Sequence, residues 1–311
     1  TRYSPLDQIN ASNFGELEEV WAWRSDNFGP NLDYFSRATP IYVDGMLYSV
    51  ATPRRQVIAM DPATGENLWT FRETPTIRHS RSPRQAYGKG VAYAEVNSRG
   101  VIYITTPGFF LWALDAKTGQ PLENWGAAVP LEGFGDSGVV DLIPHLVEDW
   151  GPWQDYLIAG GSYDPNYGIP REIGMVTASA PPIVVNGVVV VLVGHQPSYG
   201  QTRIENVPGD IMGFSAETGE FMWKFHSIPR PGEVGNETWE NDAWRFSGDI
   251  STWAPASADP ELGLVYMVTN ASTVQSYAGH RPGHNLFGGS LLALDVQTGE
   301  RRWHFQIHHS D

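Results

Sequence analysis

The stretch Ala59-Met-Asp61-Pro-Ala-Thr64-Gly65-Glu-Asn-Leu-Trp69 decides the fold, because it recurs along the 311-residue chain. An acceptor side chain followed by Thr-Gly favours a tight turn between two strands, since glycine adopts positive φ without steric cost. β-rich runs flank each turn, and a tryptophan follows it; the second copy delays this tryptophan to Trp125. The other copies are Ala113-Leu-Asp115-Ala-Lys-Thr118-Gly119, Gly213-Phe-Ser215-Ala-Glu-Thr218-Gly219-Glu-Phe-Met-Trp223 and Ala293-Leu-Asp295-Val-Gln-Thr298-Gly299-Glu-Arg-Arg-Trp303.

The spacing of the repeat predicts a β-propeller. The first turn residue recurs at 61, 115, 215 and 295, which gives intervals of 54, 100 and 80 residues. A unit of about fifty residues with insertions is typical of a four-stranded propeller blade. Asp44-Gly45 and Asn186-Gly187, each between apolar runs, predict tight hairpins in two of these blades.

We therefore predict an all-β fold: one partial propeller domain over 1–311, with four-stranded antiparallel blades. The four tryptophans are expected to pack between neighbouring blades. No convincing amphipathic helix is predicted, since the nearest candidate, 139–149, contains Pro144. The predicted blades lie around 37–75, 88–126, 177–228 and 252–307, with face insertions at about 127–175 and 229–250.

Composition excludes several classes of function. The chain has 35 acidic and 20 basic residues, a formal charge of −15, which disfavours nucleic acid as a partner. It has no cysteine, so disulfides, thiolate metal sites and covalent c-type haem are excluded. The longest apolar run, 188–193, is far shorter than the roughly 20 residues of a membrane-spanning helix.

The repeat, together with an ordered set of segments between blades, resembles the tryptophan-docking propellers of quinoprotein dehydrogenases. These are eight-bladed proteins that hold pyrroloquinoline quinone (PQQ) and usually Ca²⁺, and the resemblance is to the glucose and alcohol dehydrogenase-like branch. About four of the eight blades would be present. The segments are Ser4-Pro-Leu-Asp-Gln-Ile-Asn-Ala-Ser-Asn-Phe14, Gly88-Lys-Gly-Val-Ala-Tyr93, Ser179-Ala-Pro-Pro-Ile-Val-Val185, Thr252-Trp-Ala-Pro255, Gly279-His-Arg-Pro-Gly-His-Asn285 and Trp303-His-Phe-Gln-Ile-His-His-Ser-Asp311.

The resemblance implies oxidation of a small alcohol or sugar by hydride transfer to PQQ. Trp253 matches the indole under the PQQ ring, where a flat apolar surface suits a planar cofactor. Ser251 and Ser179 match hydroxyls that contact cofactor carboxylates. Lys89 falls where the family usually has an arginine, and it keeps the positive charge that a tricarboxylate requires.

Other positions depart from the family pattern. Arg37 replaces a cofactor-contacting glutamate and could itself pair with a carboxylate. The first calcium carboxylate is missing from Gly194-His-Gln-Pro-Ser-Tyr199, so His195 becomes a candidate cofactor contact instead. Asn270 lies near the second calcium-ligand position. Calcium binding is therefore an open expectation.

The resemblance also sets expectations beyond these residues. The general base, an aspartate after a tryptophan, would follow Asp311, so the chain is expected to be a fragment, inactive alone, or to complete its ring with a second chain. A separate cytochrome or quinone would accept electrons, in a periplasmic or secreted location. Tyr163, Tyr167, Trp150 and Trp153 are candidates to stack on an undetermined substrate.

Alternative interpretations stay open at this stage. A non-catalytic PQQ-repeat propeller could act as an envelope scaffold. A glycosidase-like pair could be drawn from Glu205, Asp210, Glu233, Glu237 and Glu240, although spacing alone cannot bring two of them together. His308, His309 and Asp311 could form a metal cluster. Glycosylation triplets begin at Asn10, Asn236 and Asn270.

Overall fold

The computed structural model describes residues 6–28, 37–52, 54–85, 88–194, 204–275 and 277–309. Across these ranges the chain forms four antiparallel sheets, each made of four consecutive strands. The predicted all-β class with four-stranded blades is confirmed. Blade 1 consists of β1 (Ile41–Val43), β2 (Met46–Ala51), β3 (Gln56–Met60) and β4 (Asn67–Phe71). Blade 2 consists of β5 (Ala92–Val96), β6 (Arg99–Thr105), β7 (Phe110–Asp115) and β8 (Val139–Asp141). Blade 3 consists of β9 (Ile183–Val185), β10 (Val188–Val191), β11 (Ile211–Ser215) and β12 (Phe221–Phe225), and blade 4 of β13 (Ser257–Asp259), β14 (Leu264–Val268), β15 (Ser290–Asp295) and β16 (Arg301–Gln306).

The Thr-Gly repeat forms the turn at the end of the third strand of each blade. In blade 1, Asp61 Oδ1 accepts hydrogen bonds from the backbone N–H groups of Ala63 (2.7 Å) and Thr64 (2.9 Å). Gly65 then takes φ +72°, a value that favours glycine. The short acceptor at the first position and the glycine at the last thus have separate, necessary roles in one turn.

The Thr-Gly turns of blades 2, 3 and 4 each pack against a tryptophan that follows the turn of the preceding blade. Trp69 of blade 1 donates its Nε1–H to the carbonyl of Ala116 in blade 2 at 3.0 Å. Its ring covers Gly119 so closely that a Cβ added there would lie 2.4 Å from the indole. A glycine is therefore required by contact with the neighbouring blade as well as by its backbone conformation.

The same contact joins the later blades. Trp125 donates to the Ala216 carbonyl at 3.0 Å, and Trp223 donates to the Val296 carbonyl at 2.8 Å. These contacts agree with the interblade role predicted for three of the four tryptophans. Trp303, on β16, is 41% exposed and lies 5.9 Å from the ring of Tyr266 in its own blade.

Sequence reasoning missed a further tryptophan of this kind. Trp21, in the segment before blade 1, donates Nε1–H to the Pro62 carbonyl at 3.0 Å, and its ring covers Gly65. Blade 1 is thus covered as though another blade preceded it. The segment around Trp21 lacks the Thr-Gly turn, so the repeat could not identify it.

The apolar core lies between the blades. Three clusters of buried side chains fill the space between blades 1 and 2, blades 2 and 3, and blades 3 and 4. The buried residues Val188–Val191 of β10 are contacted on both faces, which explains the continuous run of valines.

The structure differs from the prediction in the second blade and the insertion after it. The outer strand of that blade is Val139–Asp141, within the range assigned to an insertion, because 116–138 forms a long excursion after the turn. The described ranges also contain three short helices: α1 (Ile77–Arg81), α2 (Leu142–Val147) and α3 (Gly151–Ile158). Pro144 does not break α2, since it lies in the first turn, where backbone N–H groups have no partner within the helix. Asp141 caps α2 by accepting from Ile143 N–H.

Single 3-10 turns occupy Phe14–Glu16, Ser25–Phe28, Asn236–Thr238 and Glu240–Arg245. Within the part of the chain that the structure describes, no helix has the length and apolar character needed to cross a bilayer.

We expect Trp125→Ala to lower the stability of the protein by about 3–5 kcal/mol, because it removes a buried indole and its hydrogen bond to the next blade. The thermal or denaturant midpoint measures the loss. Trp253→Ala is the matched control, since Trp253 is 42% exposed and its truncation should cost much less. Equal losses in the two variants would contradict the interblade role.

Candidate functional site

The candidate cofactor residues converge because they occupy one position in successive blades. Arg37, Lys89, Ser179 and Trp253 each lie a few residues before the first strand of blades 1, 2, 3 and 4 respectively. The first strands β5, β9 and β13 are spatial neighbours. In an antiparallel blade, the loop between the second and third strands reaches the same edge, which adds Arg55 and Asn270 to this face.

Lys89 lies at the centre of this convergence. Its backbone N–H donates to the Ser179 carbonyl at 3.2 Å, and its carbonyl accepts from Thr39 N–H at 3.0 Å. Its ammonium group donates to the Trp253 carbonyl and lies 4.5 Å from the centre of the Trp253 ring. One residue, through its backbone and its side chain, therefore links the entry loops of all four blades.

The indole of Trp253 is open rather than buried. It is 42% exposed, whereas the interblade tryptophans Trp125 and Trp223 are almost fully covered. An exposed indole face with a cation beside it suits a planar, anionic partner. This exposure argues against a simple packing role for Trp253.

Two buried hydroxyl groups of these entry loops have no hydrogen-bond partner among the residues that the structure describes. Ser179 Oγ and Thr252 Oγ1 are both inaccessible and unpaired, although buried hydroxyls usually have partners. Ser179 is one of the predicted cofactor contacts. Thr252 was not predicted, and its position immediately before Trp253 is the only sequence signal that could have suggested it.

Positive charge is concentrated at this face. Arg55 reaches across three blades, donating to the carbonyls of Thr105 (3.1 Å), Ala178 (2.5 Å) and Arg84 (2.6 Å). Burial lowers the pKa of Lys89 to about 8, and three guanidinium groups act in the same direction. These groups belong to Arg84, Arg37 and Arg55.

A buried carboxyl group, Asp249, was missed by sequence reasoning. Asp249 Oδ1 accepts from Ser251 N–H at 3.1 Å, and the Asn270 side chain hydrogen-bonds to the same carboxyl group. Burial raises the pKa of Asp249 to about 6 despite these hydrogen bonds and the charge of Arg84. Predicted residues Ser251 and Asn270 are thus brought together around an acid that lies four residues before Trp253.

The remaining predicted residues have different outcomes. Arg37 is exposed, and its charge reaches Lys89. His195 and Asp311 lie outside the described residues, so their predicted roles stay predictions. Asp210, proposed in a glycosidase-like pair, is fully buried and could not contact a sugar.

A cavity of about 540 Å³ is lined by residues that include Ser82 and Pro83, which immediately precede Arg84 in the chain. Ser82, in its lining, hydrogen-bonds through its hydroxyl to Thr177, two residues before Ser179. Of the four aromatic residues suggested to stack on a substrate, Tyr167 lines this cavity, whereas Trp150 and Trp153 are buried in the core. Arginines and an acid also line it: Arg78, Arg81, Arg171 and Glu172.

Arg78 is fixed by neighbours at the cavity wall. Its Nη1 donates to Asp141 Oδ1 and to the Tyr163 hydroxyl, both at 2.8 Å, and its guanidinium carbon lies 3.3 Å from the centre of the Phe110 ring. Tyr163 therefore holds the cavity wall in place and does not offer a free ring face. The cavity volume is in the range of small-molecule sites.

The arrangement can hold a planar, polyanionic molecule. Trp253 supplies a flat contact, Lys89 and the guanidinium cluster supply positive charge, and Ser179 and Thr252 supply unpaired hydroxyls. Asp249 and Asn270 add oxygen ligands of the kind that calcium prefers. PQQ, a planar tricarboxylate, fits this set of groups.

Comparison with known proteins agrees with this chemistry. Residues 1–311 match the family model described as PQQ: Glucose/ethanol/alcohol dehydrogenase, beta-propeller domain. The chain thus belongs to the β-propeller family of PQQ-dependent dehydrogenases. Its predicted propeller architecture and family resemblance are confirmed.

Individual relatives match the whole chain but only part of their own length. The glycerol dehydrogenase large subunit of Gluconobacter oxydans (strain 621H) is 32% identical over 100% of this chain and 38% of the relative. The quinoprotein glucose dehydrogenase of Escherichia coli (strain K12) is 28% identical, and the match covers 100% of this chain and 36% of the relative. The solved quinohemoprotein alcohol dehydrogenase ADHIIG of Pseudomonas putida HK5 superposes with a TM-score of 0.72 at 28% identity, covering 100% of this chain and 39% of that one. This chain therefore spans less than two fifths of each of these proteins.

We expect Asp249→Asn to stabilise the metal-free protein at neutral pH. Because the folded-state pKa of Asp249 is raised above the unfolded value of about 4, the folded state binds the proton more tightly, and stability falls as pH rises from about 4 to 6. Removing the charge should raise the free energy of unfolding by roughly 2–3 kcal/mol at pH 7.5 and should hardly change it at pH 4. Thermal midpoints in EDTA at both pH values measure this.

Asp136→Asn is the matched control for this experiment, because Asp136 is exposed. Its thermal midpoint should match wild type at both pH values. If the Asp249 variant is instead less stable than wild type at neutral pH, the prediction is wrong. Hydrogen bonds and nearby charges would then already offset the cost of burying the carboxylate.

Proposed function

We propose that this chain supplies the cofactor face of a PQQ-dependent dehydrogenase that oxidises the CH–OH group of a small alcohol or sugar. The observation that carries the proposal is the open Trp253 indole, with the Lys89 ammonium above it and two unpaired buried hydroxyls beside it. When bound, PQQ would supply a quinone carbon that accepts hydride. Membership of the dehydrogenase family supports the same conclusion.

Lys89 and the guanidinium cluster would hold the anionic groups of the cofactor. Burial, and after it repulsion from three neighbouring guanidinium groups, destabilises the charged form of Lys89 in the free protein and lowers its pKa. An anion would relieve this repulsion, so binding and protonation of Lys89 should be coupled. The cluster is thus organised for an anion before the anion arrives.

Ser179 and Thr252 would complete the anchoring, once side-chain rotation turns their hydroxyls, inaccessible in the free protein, toward the cofactor. Each hydroxyl can donate one hydrogen bond, and neither has a partner in the described residues. A carboxylate oxygen of the cofactor would satisfy both demands. Trp253 would support one face of the ring system by stacking.

Calcium is a further part of the proposal. Asp249 and Asn270 would provide a carboxylate and an amide oxygen in place of the acid absent from 194–199. The cost of burying the Asp249 carboxylate would then be offset by the cation. PQQ oxygens and water would have to complete the coordination, since calcium takes six to eight oxygen ligands.

The 540 Å³ cavity is the proposed substrate chamber. Its mixture of arginine, serine and tyrosine groups suits a polyhydroxylated molecule. We propose that the general base lies beyond Asp311, that a cytochrome or quinone accepts electrons, and that the protein works in the periplasm or outside the cell. Further blades from the same or a second chain would complete the ring.

We expect the full-length protein to bind PQQ, and Lys89→Gln and Trp253→Ala to weaken that binding by about tenfold or more. Loss of one charge-assisted contact or one stacking surface removes roughly 1–3 kcal/mol. Because Lys89 titrates near pH 8, wild-type affinity should fall as pH rises from 7 to 9, and Lys89→Gln should show a flatter profile. Equilibrium dialysis at each pH gives the dissociation constants.

Lys117→Gln is the control for charge, since Lys117 lies in the exposed turn of blade 2. Its affinity should equal that of wild type. Absence of saturable PQQ binding by the full-length protein would instead favour a non-catalytic propeller.

Activity provides a separate test. The full-length protein, reconstituted with PQQ and Ca²⁺, should reduce an artificial dye when a primary alcohol, a polyol or an aldose is added. Variants of Tyr167, which lines the cavity and is about half exposed, should change KM more than kcat, because its proposed contact is with substrate. PQQ binding without dye reduction across this panel would overturn the proposed oxidation.

A further inference from the structure

A second cluster of titratable groups lies outside the cofactor face. A carboxylate oxygen of Asp149, one of Asp210 and a ring nitrogen of His226 lie within 4.8 Å of one another. Asp149 is in the link between α2 and α3, Asp210 immediately precedes β11, and His226 immediately follows β12. Three segments far apart in sequence therefore place metal-ligand side chains at one point.

The histidine is oriented by a fourth group. His226 Nε2 lies 2.7 Å from Asp149 Oδ2, and His226 Nδ1 lies 2.8 Å from Glu233 Oε1. A metal-binding histidine typically donates its second ring N–H to a carboxylate, which fixes the tautomer and increases the basicity of the ligating nitrogen. Glu233 is placed to have this role and would leave Nε2 for a cation.

Asp210 supplies an observation independent of the clustering. Its side chain is fully buried, and Oδ1 accepts from Ser227 N–H (2.9 Å) and the Ser227 hydroxyl (3.2 Å). Its other oxygen, Oδ2, is inaccessible and has no hydrogen-bond partner among the residues that the structure describes. A buried carboxylate oxygen normally acquires a partner, and a cation bound between Asp149, Asp210 and His226 would supply one.

Two permanent cations, Lys224 and Arg230, lie beside the cluster. Lys224 donates to Asp149 Oδ1 at 2.8 Å, on the oxygen that does not face His226. Arg230 also acts on Asp210 through its charge.

We propose that Asp149, Asp210 and His226 bind a divalent transition-metal ion, with Zn²⁺ as the preferred ion and Glu233 as a positioning residue. One imidazole nitrogen with two carboxylate oxygens is a ligand set that zinc accepts, and water would complete a tetrahedron. Zinc–ligand distances of about 2.0–2.2 Å place two tetrahedral ligand atoms roughly 3.3–3.6 Å apart, so His226 Nε2 and Asp149 Oδ2, 2.7 Å apart here, would separate by about 0.6–0.9 Å. The partial exposure of Asp149 and His226 leaves a route from solvent.

The bound ion would be structural. It would fasten the α2–α3 insertion to the outer half of blade 3 and, through Glu233, to the 229–250 insertion. Gly209, next to Asp210, donates its N–H to the Asp249 carbonyl. The ion would thus stabilise a segment that packs against the cofactor face without taking part in it.

The test is Zn²⁺ titration of the full-length protein by calorimetry, after removal of transition metals and in a buffer that contains Ca²⁺. Wild type should bind one Zn²⁺ more than Asp210→Asn or His226→Gln, and Zn²⁺ should raise its thermal midpoint. Glu233→Gln should retain the site with affinity lowered about 10–100-fold. Replacement by Co²⁺ should give a visible absorption spectrum that is lost in the same two variants.

Two control variants are matched by residue type. His280→Gln and Asp136→Asn change exposed residues away from the cluster and should bind Zn²⁺ as wild type does. If Asp210→Asn fails to fold, the partly exposed Asp149→Asn decides the question. Equal stoichiometry and affinity in wild type and the cluster variants, or no saturable Zn²⁺ binding in wild type, would overturn the proposal.

Discussion

The structure depends on one contact between neighbouring blades: an indole N–H donated to a backbone carbonyl while the ring covers a glycine. Trp69, Trp125 and Trp223 each make it with the following blade. A single four-stranded sheet exposes two apolar faces, and stacking against a neighbour buries them. The tryptophan combines this apolar burial with a directional hydrogen bond, which fixes the relative position of two sheets rather than merely holding them together.

That fixed position has consequences for chemistry on another part of the molecule. Once the blades are aligned, the loops before their first strands meet, and Lys89 can contact Ser179 from blade 3 and Trp253 from blade 4. None of these residues is near another in sequence. The interblade contacts and the cofactor face are therefore formed by separate sets of residues. The cofactor face nevertheless depends on the interblade contacts, because these align the blades.

The cofactor face is arranged at some cost to stability. Burial and nearby guanidinium groups lower the pKa of Lys89, and burial raises the pKa of Asp249. Two buried hydroxyls have no partner among the described residues. Such features destabilise a protein unless a ligand compensates them. Their occurrence together around the open Trp253 indole is the pattern expected of a binding site.

The sequence by itself determined the repeat, the all-β class and the number of blades, because the Asp-x-x-Thr-Gly turn and its tryptophan are local signals. It also indicated Trp253, Ser179, Lys89 and Asn270 through family resemblance. Only the tertiary structure decided that Trp21 acts as another docking tryptophan, that α2 forms despite Pro144, and that Asp249 joins Ser251 and Asn270. These features depend on burial and on contacts between distant segments, and neither can be read from local spacing.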